Sequence, residues 1–217
     1  MEKMFNKPKI AALGAEFLGT GVLVMVALVL FNTTAVSWFV GTSLAITTAV
    51  VVAMFGSISG AHINPAITLG MWTARKIGTI RAVGYIAAQM LGGLASWQLY
   101  QYLINHTLPA RSVSFDTRIW LAEVVGAAIL ATGFAAAVVR GFDNLQRAVV
   151  YGASTFVAIV IAATASAGLV NPAVALGLRS WSTVYVLGPL VGGIIGVNLY
   201  VYLFAPETKK KPATKKR

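Results

Sequence analysis

The sequence predicts an all-α membrane protein with six transmembrane helices plus two re-entrant half-helices, arranged as an inverted tandem repeat. Three observations carry this expectation. The 217-residue chain is 58% hydrophobic and 11% charged, with a mean hydropathy of +0.78, which is far from the composition of a soluble domain. It holds six apolar stretches of spanning length. Two landmarks also recur at one offset: Asn64-Pro65-Ala66 returns as Asn171-Pro172-Ala173, and Ala15-Glu16 returns as Ala122-Glu123, each 107 positions on (171 − 64 and 123 − 16). A shared offset between separate landmarks marks an internal duplication.

The apolar stretches lie at about 11–31, 36–56, 81–104, 117–139, 147–165 and 183–204, each near the roughly 20 residues that a helix needs to cross a bilayer. The first is too long for a cleavable leader and is expected to stay as a span. Glu16 and Glu123 are the only acids inside the stretches, and Asp116 sits at a boundary. One domain is expected over 1–217, with repeat one at about 10–104, repeat two at about 117–204 and a basic cytoplasmic tail at 205–217.

Basic residues set the orientation. With both termini inside, the inner segments hold 14 of the 17 Lys and Arg residues, six of them in the tail, and the outer segments hold only Arg111, Arg118 and Arg179. This bias predicts cytoplasmic termini. The net charge of +11 is therefore mostly topology. The tail could touch anionic lipid headgroups, and no nucleic-acid partner is expected. Trp38, Trp72, Trp120 and Trp181 fall near span ends, as interfacial anchors do.

No cysteine is present, and the two histidines, His62 and His106, lie far apart. These counts leave no thiolate chemistry and no basis for a metal site. No paired carboxylates, catalytic triad pattern or phosphate-binding glycine loop appears, so neither an enzyme nor a cofactor is expected.

Each copy has three spans. Two tandem copies of an odd-spanning unit must be oppositely oriented, about an axis in the membrane plane. The first Asn-Pro-Ala box then follows span two on the inside, and the second follows span five on the outside. Their surroundings, 58–71 and 162–178, carry no formal charge. Such segments suit re-entry better than surface exposure. Asn is a good N-cap and Pro is well tolerated in a first helical turn. Short helices are therefore expected from Pro65 to about Trp72 and from Pro172 to about Ser180. Entering from opposite faces, they would bring two positive dipole ends and two Asn amides together near the midplane. Glycines such as Gly19, Gly92, Gly93, Gly126, Gly192 and Gly193 suit close helix crossings.

These residues resemble the aquaporin, or major intrinsic protein, family along essentially the whole chain. The resemblance rests on Ala15-Glu16-Phe17-Leu18-Gly19-Thr20, the two boxes, Ala88-Gln89-Met90-Leu91-Gly92-Gly93, Ala122-Glu123 and Gly188-Pro189-Leu190-Val191-Gly192-Gly193. It implies an aquaporin-like bundle with one pore per subunit, a homotetramer in the lipid bilayer of the cell membrane, and passive conduction of water or small neutral solutes. Asn64 and Asn171 would donate to the oxygen of a passing solute and break the hydrogen-bonded proton wire. Gly60, Ala61 and His62, with Ala167, Leu169 and Val170, would line the path with backbone carbonyls. Glu16 and Glu123 would buttress the two loops by accepting from their N–H groups. Gln89 is expected to bond between helices, and the His62 ring to pack behind its loop.

The chain departs from the family at the outer constriction. Most members carry Arg immediately after the second box, where this chain has Val174. Spacing from the boxes puts the other filter positions at Leu44, Ile159 and Gly168. This aliphatic ring has no side-chain donor. With Gly168 small and the arginine missing, a throat wide enough for glycerol, urea or ammonia beside water is expected. Water remains the leading solute and such a facilitator the alternative. A secondary transporter and a non-conducting structural membrane protein stand further off.

Overall fold

The computed structural model describes residues 6–34 and 36–206; the basic stretch from 207 onward lies outside the described residues. Helix α1 spans Lys7–Thr33, α2 Ser37–Phe55, α3 Pro65–Thr73, α4 Thr79–Ile104, α5 Thr117–Val139, α6 Asn144–Ala162, α7 Pro172–Gly177 and α8 Thr183–Leu199. The last of these closes in a single π-helical turn over Tyr200–Phe204. The described residues form no strand.

Local chemistry explains the ends. Asn6 accepts from the Lys9 N–H and Pro8 occupies the first turn, so α1 starts earlier than its apolar run. Helix α6 likewise starts at Asn144 because Asp143 and Gln146 form a reciprocal capping box. It ends at Ala162, short of the expected 165, where the chain turns into the second re-entrant segment. The second half-helix stops at Gly177, short of the expected Ser180. There the Ser180 N–H donates to the Ala175 carbonyl and Arg179 takes a left-handed φ of 56°, a closure of Schellman type. Helix α3 closes the same way, with Arg75 at φ 57° and the Lys76 N–H on the Met71 carbonyl.

Among the described residues, five helices are long and apolar enough to cross a membrane: α1, α2, α5, α6 and α8 with its closing turn. Helix α4 has 26 residues, about 39 Å of length, but its sequence includes Arg81, Gln89, Gln98 and Gln101. It is long enough to cross and hides Gln89 in the bundle. Trp38, Trp72 and Trp181 are exposed, whereas Trp120 departs from the anchor expectation by packing partly against the core.

Packing follows the duplication. Helix α1 lies against α2 and α4 as α5 lies against α6 and α8, and α2 meets α6 at the centre. Each half-helix crosses to the other copy: α3 packs on α8, and α7 on α4. Glycines permit these crossings. A Cβ on Gly193 would strike the Ala66 carbonyl, and one on Gly93 would lie 2.7 Å from the Ala173 carbonyl oxygen. Both close approaches are onto the Asn-Pro-Ala boxes themselves.

Candidate functional site

The site is built twice, by the same atoms 107 residues apart. Glu16 on α1 is fully buried. Its Oε1 accepts from Ser59 Oγ at 2.7 Å and from the His62 N–H at 2.9 Å; its Oε2 accepts from the Ile63 N–H at 2.7 Å. Glu123 on α5 repeats this with Ser166 Oγ at 2.5 Å, the Leu169 N–H at 2.9 Å and the Val170 N–H at 2.7 Å. A buried carboxylate with this many donors is compensated by charge-assisted bonds. Gln89 adds a fourth donor to Glu16, at 2.7 Å. The position 107 residues after Gln89 is Gly196, so Glu123 lacks that partner.

These bonds hold an unusual backbone. Ile63 and Val170, both β-branched, sit at φ 45° and 42°, with Gly60 at 93°, Ala61 at 48° and Gly168 at 67°. Left-handed geometry is costly for branched residues and persists where the surroundings over-determine it. Here each N–H is pinned by a carboxylate, and each following carbonyl is pinned from the opposite copy. Asn64 Nδ2 donates to the Val170 carbonyl at 3.0 Å, and Asn171 Nδ2 donates to the Ile63 carbonyl at 3.0 Å. The two side-chain oxygens cap their own helices, accepting from the Ala66 N–H at 2.8 Å and the Ala173 N–H at 2.9 Å.

The N-termini of α3 and α7 therefore meet, each locked to the residue before the other's asparagine. Pro65 and Pro172 open the half-helices, and Ala66 and Ala173 supply the capped N–H groups. An amide nitrogen carries two hydrogens; one of each pair is committed to the opposite carbonyl.

Both asparagines line one central cavity. Around it stand Leu44 of α2, Ile159 of α6 and Val174 of α7, together with Thr48, Thr155 and Tyr151. Three of the four expected constriction residues thus face the same space as both amides. Gly168 does not line it: it backs onto Ile159, whose carbonyl oxygen would lie 3.0 Å from a Cβ there. Water centres have only about 20 Å³ in this cavity, room for roughly one molecule. Ile159 occupies the room that the glycine leaves.

The carbonyl expectations divide. Among the described residues, the Gly60, Ala61, Ala167 and Leu169 carbonyls accept no hydrogen bond. Those of His62 and Val170 are engaged, His62 by the Tyr151 hydroxyl at 2.7 Å and Val170 by Asn64. The His62 ring packs behind its loop, edge-on to Tyr85 and Phe134, with Nδ1 3.2 Å from Thr68 Oγ1. Sequence reasoning passed over Thr48, Thr155 and Tyr151. A signal existed for the threonines, since they too are separated by 107 (155 − 48).

Comparison with known proteins gives a consistent result. The family model described as Major intrinsic protein matches residues 3–200. A probable TIP-type aquaporin of Medicago truncatula is 30% identical over 177 residues, covering 76% of this chain and 71% of the relative. Aquaporin AqpM of Methanothermobacter marburgensis is 29% identical, covering 68% of this chain and 69% of the relative. Human aquaporin-4 is 28% identical over 75% of this chain, and the match spans 55% of that protein's length. Among solved structures, the X-ray structure of the aquaglyceroporin from Plasmodium falciparum superposes with a TM-score of 0.74 at 21% identity, covering 90% of this chain and 96% of that one. That likeness is one of fold.

Proposed function

The chain belongs to the major intrinsic protein family, and from that premise we propose that it is a passive, bidirectional channel whose first solute is water. The observation that carries this reading is the pair of asparagine amides on one narrow cavity. Each has one N–H held by the opposite copy and one left for a solute. A water oxygen accepting from both asparagines has no lone pair left for a neighbour's proton, which interrupts proton hopping at the midplane. The facing helix N-termini oppose cations at the same place.

Asn64, Pro65 and Ala66 with Asn171, Pro172 and Ala173 form the central gate in this reading. Leu44, Ile159 and Val174 form the constriction, with Gly168 behind Ile159. Glu16 and Glu123 hold the loops whose free carbonyls, at Gly60, Ala61, Ala167 and Leu169, give solutes acceptors on entry and exit. The cell membrane, cytoplasmic termini and a homotetrameric assembly complete the proposal.

One observation favours a second reading, a facilitator of glycerol, urea or ammonia: Val174 leaves the constriction without a side-chain donor to discriminate among solutes. The size of the cavity weighs against the larger of these. Stopped-flow light scattering on proteoliposomes separates the readings. Water permeability well above protein-free vesicles, with glycerol and urea at background, is expected. Polyol flux comparable to water would favour the facilitator. Uptake against a gradient would favour a transporter, and absence of any flux would leave a structural membrane protein.

A further inference from the structure

The central cavity has polar walls that the family-level reading does not use. Thr48 on α2 is 1% exposed, lines the cavity, and its Oγ1 has no hydrogen-bond partner. A buried hydroxyl left unpaired costs stability, and on a residue that borders the cavity it calls for a partner there. Thr155 on α6 lines the same cavity and is also buried. Its hydroxyl donates to the Tyr151 carbonyl at 2.9 Å, so its lone pairs remain to accept. The threonines are related by the same offset of 107 that relates Asn64 to Asn171. Two symmetric pairs of polar side chains thus share one cavity whose other side-chain lining is mostly aliphatic.

We propose that Thr48 and Thr155 complete, with Asn64 and Asn171, a four-membered hydrogen-bonding site that holds a single water by its oxygen and by both its hydrogens. This inference rests on the channel reading and adds a specificity-determining pair to it. The donor and acceptor count is complementary. The amide nitrogens donate only, because their partner oxygens are used as helix caps. Thr155 accepts, and Thr48 is free to accept as well. One water supplies two lone pairs and two O–H groups, which matches the four positions.

Few other side chains on the lining can pair with the hydrogens of a water. The cavity holds about one molecule, and Leu44, Ile159 and Val174 border it. A water there needs wall partners for its hydrogens, because aliphatic neighbours offer none. The site also selects by chemistry. A molecule with no O–H or N–H leaves the Thr48 hydroxyl unpaired, and an ammonium ion, which has donors alone, is opposed by both amides. The polar selective step is thereby placed at the bundle centre, one helical turn from the donor-free Leu44 and Ile159.

The test is osmotic water permeability and its Arrhenius activation energy in proteoliposomes. The proteins are wild type, Thr48→Val, Thr155→Val, the valine pair and the Thr48→Ser/Thr155→Ser pair, each checked for monodispersity and helicity. Valine keeps the shape and removes the hydroxyl. The valine pair is expected to lower water permeability about three- to tenfold, the effect of losing one net hydrogen bond at the barrier, with a raised activation energy. The serine pair should stay near wild type. If the valine pair misfolds, the single valines against the serine pair give the same comparison. Wild-type permeability and activation energy in the folded valine variants would overturn the site while leaving the channel reading intact. No water flux in the wild type would overturn the channel reading itself.

Discussion

Glu16 and Glu123 do at residue scale what a loop cannot do alone: they hold strained backbone away from water. All the bonds assigned to their carboxylates come from donors, so each oxygen is needed as an acceptor. A glutamine would turn one oxygen into an NH₂ group facing N–H donors. Glu16→Gln should therefore destabilise the fold by about 3 kcal/mol, the scale of losing a charge-assisted bond and stranding a buried donor. Glu123→Gln should cost less, because Gln89 serves Glu16 alone. The measurement is thermal unfolding in detergent, followed by fluorescence and by loss of the monodisperse peak. Normal stability in both variants, with a lost ion-coupled flux, would instead make these carboxylates transport groups. The loop partners of both were legible in the sequence, because an acid in an apolar span needs partners and each lies at a fixed distance from a box. The fourth donor to Glu16 was less legible: Gln89 could be read as an interhelix bond, but its partner depends on how α1 and α4 meet.

The half-helices were more legible at their starts than at their ends. Asn-Pro fixed where α3 and α7 begin, since cap and first-turn preferences act within a few residues. Their ends depend on Arg75 and Arg179 entering left-handed geometry, which residue type alone does not announce. The packing at Gly168 was likewise hidden, because a glycine suggests space in sequence and only the structure shows Ile159 against it. Thr48 and Thr155 looked like ordinary helix positions until the two copies faced one another. Close crossing is where element packing is most exposed to test. Gly193 of α8 rests on the Ala66 carbonyl at the start of α3, a contact with backbone that no side-chain rotation can relieve. Gly193→Ala should push α3 outward and destabilise the protein by about 1–3 kcal/mol, the range for overpacking. Gly14→Ala, with nothing within 4 Å of its new methyl, should leave stability unchanged. Parallel melting curves in one detergent check the pair. Equal melting of both variants would show that α3 does not depend on this crossing.

The whole molecule is two copies of one unit facing opposite ways, and its charge distribution has to resolve an ambiguity that its fold creates. Three spans per copy make either copy nearly as good upside down, because the buried framework of Glu, Ser, loop N–H groups and Asn is the same in both. Apolar burial therefore does not choose an orientation; the basic residues between spans do. Arg75 and Lys76 lie between the second and third long helices, with Arg81 in the first turn of α4; Arg140 follows α5, with Arg147 in the first turn of α6; the opposite side has Arg111, Arg118 and Arg179. By the charge rule the first set, with the terminal lysines, would place both chain ends on the cytoplasmic face. Epitope tags at the two ends should be protease-sensitive in inside-out vesicles and protected in right-side-out ones. The charge argument has a sharper consequence for the copies taken separately. A fragment covering 1–110 should keep its N-terminus inside, and one covering 112–217 should insert with its N-terminal end outside. Moving the Arg75, Lys76 and Arg81 charges to the 32–37 loop should reverse the first fragment while leaving its apolar spans untouched. Cysteine accessibility, introduced on either side of a chain that has no cysteine of its own, reads the orientation directly. Retention of the original orientation after the charge transfer would place topology in the spans themselves and remove the basic residues as its cause.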